Sequence, residues 1–280
     1  TKTEIISEAQ YTLGLHATAI ERTFDVINGD LLLLSNQEPL SDYIENGRDE
    51  SLNALDNEFS IMAEARQTYD QIRYLDETGM EVLRINYKNN QATRVPEENL
   101  QNKGDRYYFA DAVHLPAGST FISPLDLNME NGAVEVPNKP MIRFATPVHN
   151  ADGQEKGVLL INYLAADFLN NLVVNSESSH LETMLLNSDS YWLSASDADL
   201  TWGFMFPEKA SVRFDNSYPE AWPTIQNNVD GNIETSNGYF AFTTISPLKN
   251  NQLSSSGIST SDRLIDRNAY NWKLVSYVSS

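Results

Sequence analysis

The sequence of 280 residues contains no cysteine. This absence excludes disulfide bonds, cysteine-ligated zinc, iron–sulfur clusters and a thiol nucleophile. Basic side chains are also scarce, because 19 Lys and Arg stand against 39 Asp and Glu, which gives a formal net charge of −20. Binding to nucleic acid or to an anionic membrane surface needs clustered Lys and Arg, so the composition argues against both partners. The acidic residues are spread along the chain, and 41% hydrophobic residues suffice for a folded core.

Long hydrophobic runs are missing as well. The chain has no stretch of 18 apolar residues and no signal peptide, and its first residue is Thr. We therefore expect a piece excised from a longer protein, with any contact to a membrane made only through flanking segments. A length of 280 residues predicts about two domains.

Sequence motifs for catalysis and metal binding are absent too. Neither Gly-x-Ser-x-Gly nor a phosphate-binding glycine-rich loop occurs, and no two of the four histidines have metal-ligand spacing. We predict no catalytic residue, no metal site and no cofactor. A hydrolase with unrecognised paired carboxylates stays an alternative, since 39 acidic residues make such pairs unavoidable.

The first 36 residues have the period of an α-helix. Their apolar positions recur at steps of three and four along one stripe, namely Ile5, Ala9, Leu13, His16, Ile20, Phe24, Ile27, Leu31 and Leu34. Such a helix is roughly 45 to 50 Å long. It either packs along one domain or forms a stalk beside two domains, with part of its stripe facing a partner chain. For the second case we expect a homodimer contact around Leu13, His16 and Ile20.

The remaining residues alternate between helical and strand patterns. A second helix, capped by Asp49 or Ser51, extends to Arg66 and is followed by strands and β-hairpins at 69–87, 120–125, 141–164, 181–194, 231–245 and 272–278. Short helices are predicted at 105–115, 165–174 and 219–228, and polar loops at 88–104 and 249–261. The polar segment 175–179 is the best domain boundary. We predict an α+β fold, with a long helix over 1–36 and two units at 37–174 and 175–280, each an antiparallel sheet with flanking helices.

Several local strings carry a family resemblance. They include Tyr-Leu-Asp-Glu-Thr-Gly-Met-Glu-Val-Leu-Arg-Ile at 74–85, Asp-Arg-Tyr-Tyr-Phe at 105–109, Ala-Thr-Pro-Val at 145–148 and Trp-Lys-Leu-Val at 272–275. Their order and spacing resemble the double Cache family, the tandem PAS-like extracytoplasmic sensor domains of bacterial transmembrane receptors. The chain looks most similar to sensor regions of histidine kinases. A chemoreceptor or diguanylate cyclase ectodomain, and a free periplasmic solute-binding protein, are the alternatives.

The resemblance implies that the two units have different roles. The unit at 37–174 would be membrane-distal and bind a small ligand, and the unit at 175–280 would be membrane-proximal and transmit. The fragment would lie on the periplasmic side of the inner membrane and have no catalytic activity. The kinase, or another output module, would lie in a cytoplasmic part of the protein.

The resemblance also implies site residues. In the amino-acid-binding branch of the family an Arg beside aromatic residues holds the ligand carboxylate, and Arg106, Tyr107 and Tyr108 occupy that string. The same branch uses an Asp for the ligand amine, where this chain has Asn162, and a neutral amide cannot match an ammonium by charge.

Two further charged residues are candidates for the site. Asp126 either supplies a displaced carboxylate or caps a turn, and Arg143 faces either water or the pocket. A pocket containing both Arg106 and Arg143 favours an anionic ligand over an amine. We therefore predict a small anionic or zwitterionic ligand bound by Arg106, Tyr107, Tyr108, Asp126, Arg143 and Asn162.

Overall fold

The computed structural model describes residues 2–130, 132–177, 181–257, 264–265 and 268–279. Within these residues the α-helices are α1 Lys2–Ser35, α2 Glu38–Asn46, α3 Asp49–Arg66, α4 Tyr107–Val113, α5 Ala166–Glu177, α6 Phe214–Ser217 and α7 Trp222–Asn227. Short 3-10 turns cover Glu97–Asn99, Ala198–Leu200, Gly203–Met205 and Pro207–Lys209.

The strands of the first half are β1 Tyr69–Leu75, β2 Glu81–Lys88, β3 Gln91–Arg94, β4 Thr120–Ile122, β5 Asp126–Leu127, β6 Met129–Glu130, β7 Ala133–Val134, β8 Pro140–His149 and β9 Glu155–Leu164. Those of the second half are β10 Glu182–Leu186, β11 Trp192–Ser194, β12 Asp230–Thr235, β13 Gly238–Ile245, β14 Gln252–Leu253 and β15 Trp272–Ser279.

Two larger sheets share one order of five antiparallel strands, and β6 pairs with β7 in a separate hairpin. The first runs β14-β4-β8-β9-β1-β2-β3 with β5 beside β8, and the second runs β11-β10-β15-β13-β12. In both, the last strand of this core lies between the first strand and the strand before the last. Strand β9 thus lies between β1 and β8, and β15 lies between β10 and β13. The predicted α+β class, with a long opening helix and two sheets with flanking helices, is confirmed.

Helix α1 packs against both sheets. Its buried apolar side chains all belong to the predicted stripe, namely Ala9, Leu13, Ile20, Phe24, Ile27, Leu31 and Leu34. Of the other two stripe positions, Ile5 is exposed and His16 is half-buried. Phe24 contacts Phe144 of β8 and Trp272 of β15, with ring centroids 5.3 and 5.6 Å apart. One hydrophobic core therefore runs along the helix and joins the two sheets.

The two sheets differ on the face turned away from α1. On the first sheet, α4 packs with Phe109 and Val113 over a second apolar cluster that includes Leu160 of β9. On the second sheet, aromatic side chains from α6, α7 and the strands fill the corresponding layer, including Trp192, Phe214, Trp222 and Phe240.

Three local predictions were wrong. Helix α2 was not predicted, and it begins just before Pro39, because proline fits the first turn of a helix. Helix α3 starts at Asp49 after an N-cap at Arg48, whereas the Ser51 hydroxyl bonds the Asp42 carboxylate instead of capping the helix. Strand β3 lies within the predicted loop 88–104 and extends the hairpin of β1 and β2.

The chain returns to the first sheet near its end. Within the predicted loop 249–261, Gln252 and Leu253 form a parallel pairing with Thr120 and Phe121 of β4. Residues 258–261 of that loop lie outside the described residues. Of the boundary segment 175–179, residues 175–177 end α5, and residues 178 and 179 lie outside the described residues.

Two glycines bring a loop to the sheet. A Cβ on Gly79, whose φ is +82°, would lie 2.4 Å from the Cα of Gly104. The Lys103 amide donates to the Gly79 carbonyl at 2.7 Å. This close approach, which only glycine permits, holds residues 101–106 beside the first hairpin, directly before α4.

Candidate functional site

A cavity of about 910 Å³ lies between α4 and the face of the first sheet that is turned away from α1. All six residues singled out from the sequence line it, namely Arg106, Tyr107, Tyr108, Asp126, Arg143 and Asn162. Tyr108 is buried, whereas Arg106 is exposed and forms the N-cap of α4. The structure thus brings together residues that are up to 56 positions apart in the sequence.

The floor of the cavity is a polar row across four strands. Arg143 of β8 lies opposite Asn162 of β9, Asn162 opposite Gln71 of β1, and Gln71 opposite Asn86 of β2. Side chains two residues apart in a strand share a face, so Arg73 and Arg84 also point into the cavity. These two arginines lie directly opposite each other on β1 and β2.

The Asn162 amide is engaged by its neighbours. Its Oδ1 accepts a hydrogen bond from Arg73 at 2.8 Å, and its Nδ2 donates to Gln71 Oε1 at 3.2 Å. The position therefore orients a cation of the protein, and it offers no charge for a ligand ammonium.

Asp126 and Arg143 form an ion pair beside the cavity. Arg143 donates to Asp126 Oδ1 at 3.0 Å and to Asn128 Oδ1 at 3.1 Å. Burial raises the pKa of Asp126, although Arg143 opposes this shift. Burial lowers the pKa of Arg143, but the neighbouring Asp126 and tyrosines outweigh it, so the net shift is upward and the guanidinium stays charged.

A second charged cluster, which the sequence analysis missed, surrounds Glu81. Its carboxylate side chain is fully buried and accepts from Arg84 at 2.8 Å, from Arg73 at 3.4 Å and from the Gln101 amide at 3.0 Å. Like charges directly opposite on adjacent strands repel. Glu81 reduces the repulsion between Arg73 and Arg84, but one carboxylate does not balance two guanidinium groups.

Tyr108 lies close to both clusters. The guanidinium carbons of Arg73 and Arg143 are 5.5 and 5.4 Å from the centre of its ring, which is cation–π distance. Burial acts to raise the pKa of Tyr108, but the positive charges of Arg73, Arg143 and Lys103 lower it overall. The lowered pKa of the phenol therefore reflects the positive potential of the cavity.

Four buried atoms of the cavity residues have no hydrogen-bond partner within the described part of the chain. They are Arg73 Nε, Arg84 Nε, Asn86 Oδ1 and the Tyr107 hydroxyl. Asp126 lies near enough to the Tyr107 hydroxyl to contribute to a raised pKa, whose main cause is burial. Buried polar groups are nearly always hydrogen-bonded in folded proteins, so these atoms are available to a polar molecule.

Several cavity residues could not be found by local motifs. Gln71, Arg73, Arg84 and Asn86 lie in predicted strands, and their polar i, i+2 spacing was the available signal. Met205 and Gly257 also line the cavity, although both belong to the second half of the chain. Gly257 follows the return of the chain at β14, and no local pattern encodes that return.

The described residues contain no group of three His, Asp or Glu side chains arranged to hold a metal ion. Among the helices that the structure describes, none is long and apolar enough to cross a bilayer.

Two sheets of one strand order beside a shared long helix, with a polar cavity on the first, define a tandem sensor domain of the Cache type. A family model described as the sensor domain of bacterial histidine kinases matches residues 3–255, and the chain belongs to this family. It is a sensor domain and is not itself catalytic, and the resemblance seen in the sequence is confirmed. Comparison with curated protein sequences found no match.

Solved structures of sensor domains share this fold. The extracellular domain of a protein assigned as the histidine kinase vpHK1S-Z8 is 23% identical with a TM-score of 0.82, over 99% of this chain and 92% of that one. A domain of a sensory box/GGDEF family protein from Vibrio parahaemolyticus is 22% identical, with a TM-score of 0.79, over 99% and 97%. The ligand-binding domain of the Campylobacter jejuni chemoreceptor Tlp3, in complex with 4-methylisoleucine, is 11% identical with a TM-score of 0.63, over 98% and 91%.

Proposed function

We propose that this chain is the extracytoplasmic sensing region of a transmembrane histidine kinase and lies on the periplasmic side of a bacterial inner membrane. The unit at 37–174 would be membrane-distal and bind the ligand, and the unit at 175–280 would be membrane-proximal and transmit the signal. The family membership supports the kinase context. The cavity on the first sheet and the aromatic filling of the second support the division of labour.

The proposed ligand is a small anionic or zwitterionic molecule in the cavity of the first sheet. One observation carries this proposal: five cationic side chains line a single cavity in a chain of net charge −20. Such a site attracts anions by its local field even where the whole protein is acidic. The related Tlp3 domain was solved with 4-methylisoleucine and the Pseudomonas aeruginosa receptor PctC with GABA, which agrees with a small-molecule ligand here.

Arg106, Tyr107 and Tyr108 would hold an anionic group of the ligand at the α4 end of the cavity. The Arg106 guanidinium can donate two parallel hydrogen bonds to a carboxylate, and the aromatic rings beside it exclude water. Arg143 would add a second cation, with Asp126 and Asn162 setting the direction in which Arg143 and Arg73 point.

The proposed route of the signal starts on β1. Gln71 and Arg73 of that strand line the cavity, and Tyr69 at its beginning bonds Asp30 of α1. Arg66 donates two hydrogen bonds to the same carboxylate, at 2.6 and 2.8 Å. A ligand that changes the position of β1 would therefore change the position of α1 relative to β15, provided that it binds one arrangement better than the other.

A homodimer through α1 would use a different surface from the expected one. Leu13 and Ile20 are buried against the chain's own sheets, and His16 is half-buried. Four exposed apolar side chains of α1 lie together on another face of the helix, at Tyr11, Leu15, Val26 and Leu33. Their spacings of 4, 11 and 7 residues fit a helical seam, and a second copy of α1 is the proposed occupant.

A thermal-shift screen of this chain tests the proposed binding function. A ligand at 100 times its dissociation constant adds about 2.7 kcal/mol when it binds only the folded state. Each metabolite that raises the unfolding temperature is then tested on Arg106→Gln, with Arg94→Gln on the exposed edge strand as the control. Shifts that are equal in the wild type and Arg106→Gln contradict the proposed site.

A further inference from the structure

The cationic side chains of the cavity form two groups. Arg73 and Arg84 converge on Glu81 at one end. At the other end Arg143 pairs with Asp126, and Arg106 lies close enough to act on the same carboxylate. The Tyr108 ring is close to both groups, since the guanidinium carbons of Arg73 and Arg143 lie 5.5 and 5.4 Å from its centre.

The charges of the cavity do not balance. Five cations line it, namely Arg73, Arg84, Lys103, Arg106 and Arg143. The carboxylates that line the cavity or contact these cations are Asp105, Asp126 and Glu81. Two positive charges are left over in the cavity. One of them belongs to the buried group of Arg73, Arg84 and Arg143, which only Glu81 and Asp126 neutralise, and a buried guanidinium without a counter-charge is costly.

Each end also has unused hydrogen-bonding capacity. At the Glu81 end, the Nε atoms of Arg73 and Arg84 and the Oδ1 of Asn86 are buried without partners in the described chain. At the α4 end, the Tyr107 hydroxyl lies near Ser123 and Asp126 but makes no hydrogen bond of good geometry with either. By contrast, each carboxylate near the cavity floor is already bonded by an arginine, which leaves a ligand ammonium no unpaired negative charge there, and Asn86 Oδ1 can accept only from a hydroxyl or another donor group of the ligand.

We propose that the natural ligand is a small organic dianion that spans Tyr108, with one anionic group at Arg73 and Arg84 and the other at Arg106 and Arg143. This inference rests on the proposed ligand-binding function and narrows it. A dianion neutralises the two excess charges, whereas a zwitterionic amino acid leaves them, and its ammonium meets no unpaired carboxylate on the cavity floor. The polar row of Gln71, Asn86 and Asn162 would face the part of the ligand between its two anionic groups.

Isothermal titration calorimetry with defined probes tests the inference. Straight-chain dicarboxylates from malonate to adipate are compared with propionate and butyrate as monoanions, and with L-alanine and GABA as zwitterions. At least one dicarboxylate is expected to bind tenfold or more tightly than every monoanion and zwitterion. Arg84→Gln and Arg106→Gln should each weaken its binding about tenfold or more, because each removes a cation from a different end, and Arg94→Gln should change nothing.

The outcomes separate this inference from the proposed function. A monoanion or zwitterion that binds as tightly as the best dicarboxylate, and depends on only one of the two arginines, overturns the dianion but leaves the binding function in place. Failure of all the dicarboxylates also overturns it, whereas the binding function fails only when the wider metabolite screen gives no ligand. If Arg84→Gln does not fold, Asn86→Asp tests the same end, since it adds a negative charge beside Arg73 and Arg84. It should weaken dicarboxylate binding about tenfold without loss of stability.

Discussion

Phe24 in the opening helix contacts Trp272 in the last strand edge to face, with ring centroids 5.6 Å apart and planes at 73°. Phe24 also contacts Phe144, and Phe144 is the neighbour of Arg143 in β8. Successive side chains of a strand point to opposite faces, so Arg143 faces the cavity while Phe144 faces α1. One strand thus connects the cavity to the helix and, through Phe24, to the end of the chain.

Phe24→Ala is expected to destabilise the protein by about 3 to 5 kcal/mol, because it leaves a cavity where the two sheets meet the helix. Urea unfolding of the isolated chain measures the loss. Leu33→Ala is the matched control, since Leu33 lies on the exposed face of the same helix and its truncation should change stability by less than about 0.5 kcal/mol. Equal effects of the two changes would contradict the described packing of α1.

The contact between Asp30 and Tyr69 gives a second test of how α1 is held. Asp30→Ala removes the acceptor for Arg66 and for the buried Tyr69 hydroxyl, and should cost about 1 to 3 kcal/mol. Tyr69→Phe removes one donor but leaves Arg66 on Asp30, so its cost should be smaller. Tyr11→Phe on the exposed face of α1 serves as the control, and the order of the three unfolding free energies is the measurement.

The ionisation of Tyr108 should report occupancy of the cavity. Its pKa lies below the ordinary value of a tyrosine, because Arg73 and Arg143 outweigh the effect of burial. The difference in absorbance near 295 nm between the wild type and Tyr108→Phe should therefore titrate below pH 10, the usual tyrosine value. Saturation with an anionic ligand should move this titration upward, because the anion neutralises the guanidinium groups. An unchanged titration at saturation would place the bound anion elsewhere.

Asp126 should make both stability and anion binding depend on pH. Burial raises its pKa above 3.8 in the folded protein, so the folded state holds this proton more tightly than the unfolded chain does. Stability from this group is present below that value and is lost as the pH rises through the folded pKa. The free energy of unfolding of Asp126→Asn, measured against pH beside the wild type, should lack this loss.

The same substitution should strengthen the binding of an anion near neutral pH. It removes the negative charge that pairs with Arg143, and a tenfold gain in affinity corresponds to about 1.4 kcal/mol. The control is Asp105→Asn, an exposed carboxylate at the rim of the cavity, for which a smaller gain is expected because water screens its charge.

Crosslinking decides which face of α1 meets a partner. The chain has no cysteine, so a single introduced thiol is the only one in this region. In the full-length receptor, Leu15→Cys and Val26→Cys should form disulfides between two copies, whereas Leu13→Cys should not, because Leu13 is buried against the chain's own sheets. Crosslinking at Leu13 but not at Leu15 would contradict the proposed dimer surface of α1.

Much of the fold could be predicted from the sequence because its elements have local signals. The stripe from Ala9 to Leu34 has the period of a helix, and the same side chains are buried in the structure. Helix α2 was missed because Pro39 resembles a break in the sequence, although the first turn of a helix accepts proline. Likewise, β3 and β14 are short and polar, and they become strands only because a neighbouring strand offers unpaired backbone groups.

The candidate site, too, could be predicted from the sequence only in part. The aromatic string beside Arg106, and the positions of Asp126, Arg143 and Asn162, were found from the sequence because they lie in recognisable strings. The sequence could not show that Asn162 bonds Arg73, or that Glu81 lies buried between Arg73 and Arg84. Those contacts join residues from separate strands, and their geometry depends on the register of β1 against β2 and β9.

The sequence by itself determined the properties that are local to the chain, namely the net charge of −20, the absence of cysteine, one long amphipathic helix and two successions of strands. Only the tertiary structure decided that five of the scarce cations gather around one cavity, and that Leu13 and Ile20 face inward. The physical reason is that both outcomes depend on long-range pairing. The strand order sets which side chains share a sheet face, and the packing of α1 on both sheets sets which face of the helix remains exposed.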